Sequence, residues 1–208
     1  MAAALDKANY MALNLKNETV VKKPGQIAGQ QFVVDNLKGC QVHVFDHCQQ
    51  VTIDDCEDST IVIGPCEDSV FARDCKNCVI HVVAQQLRTR GCLDCTFFLW
   101  VPTEPVIEAS VGLRIGAWHV SYPGLSRHMQ AAKLNPGDPN KWDKVYDFTP
   151  ADEDDGEHWR RVARRPELPM KIEGVDAPCD TPLPKPSPVS ASPVASPRPA
   201  RSAAPAAA

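Results

Sequence analysis

Between Gln31 and Leu99 the chain repeats a pattern of two short apolar–polar alternations separated by a polar corner. Four segments align without gaps: Gln31 to Val44 (QFVVDNLKGCQVHV), Gln50 to Ile63 (QVTIDDCEDSTIVI), Ser69 to Val82 (SVFARDCKNCVIHV) and Gln86 to Leu99 (QLRTRGCLDCTFFL). In the first stretch the mostly apolar columns are Phe32/Val51/Val70/Leu87 and Val34/Ile53/Ala72/Thr89. In the second they are Val42/Ile61/Ile80/Phe97 and Val44/Ile63/Val82/Leu99. A period of two is the signature of strands. Leu37, Cys56, Cys75 and Cys92 share a further column, and Cys40, Ser59, Cys78 and Cys95 share another. Both advance by steps of 19, 19 and 17 residues. Units of this length, each burying its inward residues only against its neighbours, stack into a β-helix with corners of Asp, Asn, Gly, Lys and Glu. The prediction is a mainly β fold over residues 10–150. Alternate residues then point outward, which in the first stretch places Val33, Thr52, Phe71 and Arg88 on the surface.

Beyond the repeats, Pro123 to Leu134 (PGLSRHMQAAKL) reads as a helix with an apolar stripe of Leu125, Met129, Ala132 and Leu134. Trp118, Tyr122 and Trp142 are expected to cover the open end of the β-helix. Residues 151–175 read as an acidic loop (Ala151 to Gly156) followed by a short helix over Glu157 to Arg165. From Asp176 the composition turns to Pro, Ala and Ser, too poor in large apolar residues to offset its ordering entropy. Residues 176–208 are therefore expected to be a disordered tail, and residues 1–9 a flexible N-terminus.

The charge of the 208-residue chain, −4 with a pI near 5.8, gives no phosphate footprint and argues against nucleic acid. No apolar run reaches the roughly 18 residues that a spanning helix needs. The first residues lack the regions of a signal peptide. Ala2 stands where myristoylation requires glycine, and no cysteine lies nearby to palmitoylate. The expectation is a cytoplasmic chain without a lipid anchor.

Nine cysteines without an export signal point to metal, catalysis or packing rather than a disulfide framework. Cys75-x-x-Cys78 and Cys92-x-x-Cys95 have the spacing of a zinc site. The repeat favours packing instead, because Leu37 and Ser59 fill equivalent positions, and a ladder spaced by about 4.8 Å does not converge on a tetrahedron. No metal site is assigned. His43 and His81 share an outward column with no carboxylate beside them, and His47 follows Asp46 at a corner. No hydrolase elbow, P-loop or dinucleotide fingerprint is present, so the residues give no support for an enzyme acting alone.

The segments VFDHCQQVTIDDC (Val44 to Cys56), IGPCEDSVFARDC (Ile63 to Cys75) and AQQLRTRGC (Ala84 to Cys92) resemble the tubulin-binding cofactor C domain. The resemblance is nearest to its retinitis pigmentosa protein 2 branch. PGQIAGQQF (Pro24 to Phe32), EPVIEAS (Glu104 to Ser110) and YDFTP (Tyr146 to Pro150) point the same way. This resemblance implies a right-handed parallel β-helix that activates GTP hydrolysis by an Arf-like small GTPase, type three being the expected partner, in ciliary or membrane-protein trafficking. The family motif maps onto Gln85-Gln86-Leu87-Arg88-Thr89-Arg90 and makes Arg88 the arginine finger, with Gln86 beside it. It also nominates Gln85, Arg90, Glu108 and Phe148 as partner contacts. The partner would hold GTP and magnesium, so the chain itself is expected to need no cofactor.

Two departures bear on these expectations. Larger members of the branch carry a C-terminal domain resembling a nucleoside diphosphate kinase, where this chain has its Pro/Ala tail. They are also dually acylated, whereas this chain has neither the acceptor glycine nor an early cysteine, so recruitment by lipid is not expected. A location at a cilium, flagellum or basal body would then depend on partners, ciliary proteins among them, or on the tail. Two alternatives stay open: a scaffold that grips the GTP-bound GTPase without stimulating it, and a tubulin-folding cofactor.

Overall fold

The computed structural model describes residues 7–149, 157–180 and 182–183. The expected acidic loop, the start of the expected flexible N-terminus and most of the expected tail lie outside these residues. The described chain is mainly β and coils into a parallel β-helix of about six turns with one short helix.

Two strand faces run the length of the coil. The first stacks Met11–Leu13, Phe32–Asp35, Val51–Asp54, the ends of the long strands Thr60–Arg73 and Val79–Arg90, then Val106–Glu108 and Tyr146–Asp147, every pair parallel. The second stacks Thr19–Lys22, Gln41–Val44, the beginnings of the same two long strands, Thr96–Trp100, Leu113–Ala117 and Trp159–Arg161. The register is the one the repeat prescribes: Phe32, Val51, Val70 and Leu87 are Cα partners in succession, as are Val42, Ile61, Ile80 and Phe97.

The shortened 17-residue step has a local cause. Along the third side of the coil Ile63, Cys66 and Ser69 pair with Val82, Ala84 and Gln86, so one residue is dropped on either side of the Cys66–Ala84 pair. The two faces are left in phase.

Corners follow from backbone conformation. Asn14, Asn36, Asp55, Asp74 and Gly91 occupy one left-handed corner position, and Asn17, Gly39, Asp58, Asn77, Asp94 and Gly112 another. Those residue types tolerate positive φ at least cost. The cysteines sit just inside. The thiols of Cys40, Cys56, Cys75, Cys78, Cys92 and Cys95 each donate to the carbonyl two residues earlier, at 3.2–3.7 Å. The hydroxyls of Ser59 and Ser110 do the same at 2.8 and 2.9 Å. Both CxxC pairs are therefore hydrogen-bonded corners. Among the described residues no group of three or more His, Cys, Asp or Glu is placed to hold a metal ion.

The lumen is filled by the inward columns, with Trp142 and Trp159 joining it. A second apolar layer, unanticipated from the pattern, covers the outside of the second face: Phe45, Val62, Val83 and Trp100 pack against Trp118, Val120, Tyr122, Leu125, Met129 and Ile172. Trp118 and Tyr122 thus cover a flank rather than the open end. His81, read as outward, is only 4% exposed, stacked on Phe98 and flanked by Trp118 and His119. The helix is Leu125–Ala131, with the expected stripe of Leu125, Met129, Ala132 and Leu134 buried.

The helix expected over Glu157 to Arg165 is instead the strand Trp159–Arg161, paired with Leu113–Ala117. Open backbone donors and acceptors on the preceding rung prevail there over helical propensity, and Trp159 reaches the lumen. Residues 176–180, assigned from composition to the tail, are tied down. The Asp180 N–H donates to the Tyr122 carbonyl and its carboxylate accepts the Ser126 N–H.

Candidate functional site

Strand alternation sorts the side chains of the candidate motif. Leu87 and Thr89 point into the lumen and are buried, whereas Arg88 and Arg90 point out and are exposed, with Gln86 half-buried. The strand carrying them, Val79–Arg90, is paired on both sides: Phe71 is the Cα partner of Arg88 on the rung before, and Val106 on the rung after. A side chain mounted on such a rung has a fixed base.

Arg88 has one side-chain partner among the described residues, the Gln86 amide oxygen, which accepts from Nε at 3.3 Å. Its two terminal nitrogens meet no carboxylate among the described residues. The contrast with Arg73 on the same face is informative. Arg73 donates from Nε and Nη2 to the two Asp54 carboxylate oxygens at 2.7 and 2.6 Å, and its guanidinium lies 5.2 Å from the centre of the Phe71 ring. Two arginines on neighbouring rungs therefore differ in kind, one neutralised and one open.

The remaining nominated residues share this surface. Arg90 is the Cα partner of Arg73 on one side and of half-buried Glu108 on the other. Phe148 donates its N–H to the Ile107 carbonyl at 2.7 Å, which sets it beside Glu108 at the end of the next rung. Its ring is 61% exposed and lies 5.9 Å from that of Tyr146, itself 41% exposed. Gln85 is exposed at the bend before the motif, where its carbonyl accepts from the Thr103 hydroxyl at 2.7 Å. Gln86, Arg88, Arg90, Glu108 and Phe148 thus lie on a single outward face, with Gln85 at its margin. Exposed aromatic rings beside unneutralised arginines make a surface suited to a protein partner. Phe71 was already read as outward beside Arg88, but Tyr146 and the Asp54–Arg73 pair went unnoticed in the sequence as parts of this face. The signal was the repeat register, which put Asp54, Arg73 and Arg90 in one column; the strand pairing adds Glu108 to it.

Residues 29–148 match the family model described as Tubulin binding cofactor C. The chain belongs to the tubulin binding cofactor C family. Among relatives, Protein XRP2 of Gallus gallus is 41% identical over 148 residues, covering 71% of this chain and 41% of that protein. Protein XRP2 of Danio rerio is 37% identical over 146 residues, covering 70% of this chain and 39% of the relative. Tubulin-specific chaperone C of Bos taurus is 27% identical over 135 residues, covering 65% and 39%. The chain spans about two fifths of the length of these curated relatives. A solved structure of Tubulin Binding Cofactor C from Leishmania major aligns with a TM-score of 0.49 at 23% identity, over 57% of this chain and 81% of that one. The cofactor C fold described here rests on its own strand pairing. No helix among the described residues is long and apolar enough to cross a membrane.

Proposed function

We propose that this cofactor C family member activates GTP hydrolysis in trans on an Arf-like small GTPase, type three foremost, with Arg88 as the arginine finger. The observation that carries the reading is an exposed arginine, with no carboxylate partner among the described residues, on a strand paired on both sides. In phosphoryl transfer, negative charge spreads over the γ-phosphate oxygens, and a planar guanidinium can bond two of them at once. The Gln86 oxygen engages Nε and so turns the two terminal nitrogens outward, toward a partner's nucleotide. A rigid rung limits the entropy lost when the side chain inserts. The partner supplies GTP and magnesium. Phe148 and Tyr146 offer apolar contact area, and Arg90 and Glu108 offer charges of both signs that fix register. Such a role fits ciliary or membrane-protein trafficking, where switching a GTPase off releases its cargo.

Single-turnover GTP hydrolysis across a panel of Arf-like GTPases tests this. At least one member should hydrolyse faster with the wild-type chain than with Arg88→Ala. Binding of the GTP state without acceleration would favour the scaffold reading, and Phe148→Ala would then weaken binding. The relationship to tubulin-specific chaperone C sustains one further reading, a tubulin-folding cofactor. Co-sedimentation with tubulin that is indifferent to Arg88 would favour it.

A further inference from the structure

Arg88 stands next to an aromatic ring. Phe71 is its Cα partner, one rung away at the roughly 4.8 Å spacing of parallel strands. An exposed guanidinium at that distance can settle on the ring face, a contact worth about 0.5–1 kcal/mol. Among the described residues it is Arg73 rather than Arg88 that makes this contact, its guanidinium lying 5.2 Å from the Phe71 ring centre. Arg73 is in turn fixed by its two-pronged bond to Asp54 on the rung before. Asp54 is the nearest acid on that side of the motif in the outward column Asp54, Arg73, Arg90, and it too is thereby occupied.

We infer that Arg73 is a positioning residue for Arg88: by occupying the Phe71 ring and the Asp54 carboxylate together, it leaves Arg88 no ring or acid on that side to fold onto and keeps it extended. The inference rests on the finger role proposed above, and it assigns a function to three residues that would not themselves touch nucleotide. Phe71 serves as the wall beside the Arg88 stem, Arg73 as its cover and Asp54 as the clamp. Gln86 holds the other side through Nε. The finger is kept ready by occupying its competitors.

The test compares Arg73→Met, which keeps the stem and removes the charge, with the double variant Phe71→Leu/Arg73→Met, which also removes the ring. In the isolated protein, NMR of the Arg88 Nε–Hε group reports where the side chain lies. Arg73→Met should move that resonance upfield as Arg88 settles on the exposed ring, and the double variant should return it. With a responsive GTPase at saturation, Arg73→Met should lower the maximal single-turnover rate about 3- to 10-fold, the population lost to one surface cation–π contact and one exposed ion pair. The half-saturating concentration should stay constant, and the double variant should recover the part of the rate owed to the ring, leaving the part owed to the freed Asp54. An unmoved Arg88 resonance in Arg73→Met, or a rate equal to wild type, overturns the inference. If no GTPase responds to the wild-type chain, the finger role fails, while the NMR comparison still decides whether Arg73 holds Arg88 out.

Discussion

Replacing Asp46 by alanine removes the acceptor that ties the loop before Phe32 and the helix to the solenoid. Asp46 is 1% exposed. One oxygen accepts the N–H groups of Ile27 and Ala28, both at 2.8 Å, and the other accepts the His47 N–H at 2.9 Å. The His128 ring stands 3.8 Å away on the helix and bonds the buried Tyr122 hydroxyl at 3.3 Å. After substitution the Ile27 N–H is buried without an acceptor, which alone costs about 1–3 kcal/mol. Ala28 and His47 lie nearer solvent, but each loses a charge-assisted bond. A total near 3–4 kcal/mol follows, or roughly 6–16 °C in Tm for a domain of this size. Thermal and urea unfolding of the two proteins measure it, and Asp46→Asn, which keeps one acceptor oxygen, should fall between them.

Acid adds a second signature. Burial by itself would raise the Asp46 pKa, but the N–H groups of Ala28, Ile27 and His47, with His128, hold it below the ordinary carboxylate value. A depressed carboxylate contributes stability above its unfolded pKa and loses it as pH falls through the folded one. The difference between wild type and Asp46→Ala should therefore shrink only below about pH 4. A loss under about 1 kcal/mol at neutral pH would refute the anchoring role.

Three further outcomes follow from the packing. Buried His81 has its pKa pushed down to about 3 by burial, then by His119, His43 and Arg165. The native state thus refuses a proton that the unfolded chain takes up below about pH 6.5, so wild type should lose about 2 kcal/mol from this group between pH 7 and pH 5. His81→Phe should remove that part of the slope in urea melts at the two pH values, and an unchanged slope would contradict the burial. Gly64→Ala would press a methyl group into the carbonyls of Val44 and Asp46 and the Tyr122 hydroxyl. It should cost more than about 2 kcal/mol in the same assay. Cys78→Ser should cost under about 1 kcal/mol, because Ser59 shows that a hydroxyl makes the same corner bond. A large loss, or a chelator-sensitive Tm in wild type, would revive a metal role for the CxxC pairs.

The coil was legible because its code is local and repeated. Columns such as Phe32/Val51/Val70/Leu87 give the register directly, and Leu37 and Ser59 betray the cysteines as corners. The outward direction of Arg88 follows from the same parity. What escaped the pattern depends on segments that do not repeat. Nothing in the His81 column announces that Trp118 and His119 return over it, since that layer is built from single contacts between sequence-distant residues. The strand at Trp159–Arg161 forms because the preceding rung offers a free edge, which no property of HWRRVARR encodes. The Asp54–Arg73–Phe71 unit was readable in principle from its columns, but arginines in adjacent columns look equivalent until their partners are seen.

The most direct measurement is the single-turnover rate of GTP hydrolysis by a responsive Arf-like GTPase at saturating concentrations of wild type, Arg88→Ala and Arg88→Lys. A finger supplied in trans is worth on the order of 10³-fold or more. Arg88→Ala should therefore return the rate to near the intrinsic value while still binding the GTP state. Arg88→Lys should recover little of the loss, because an ammonium cannot make the paired bonds of a guanidinium. Hydrolysis as fast with Arg88→Ala as with wild type would contradict the account.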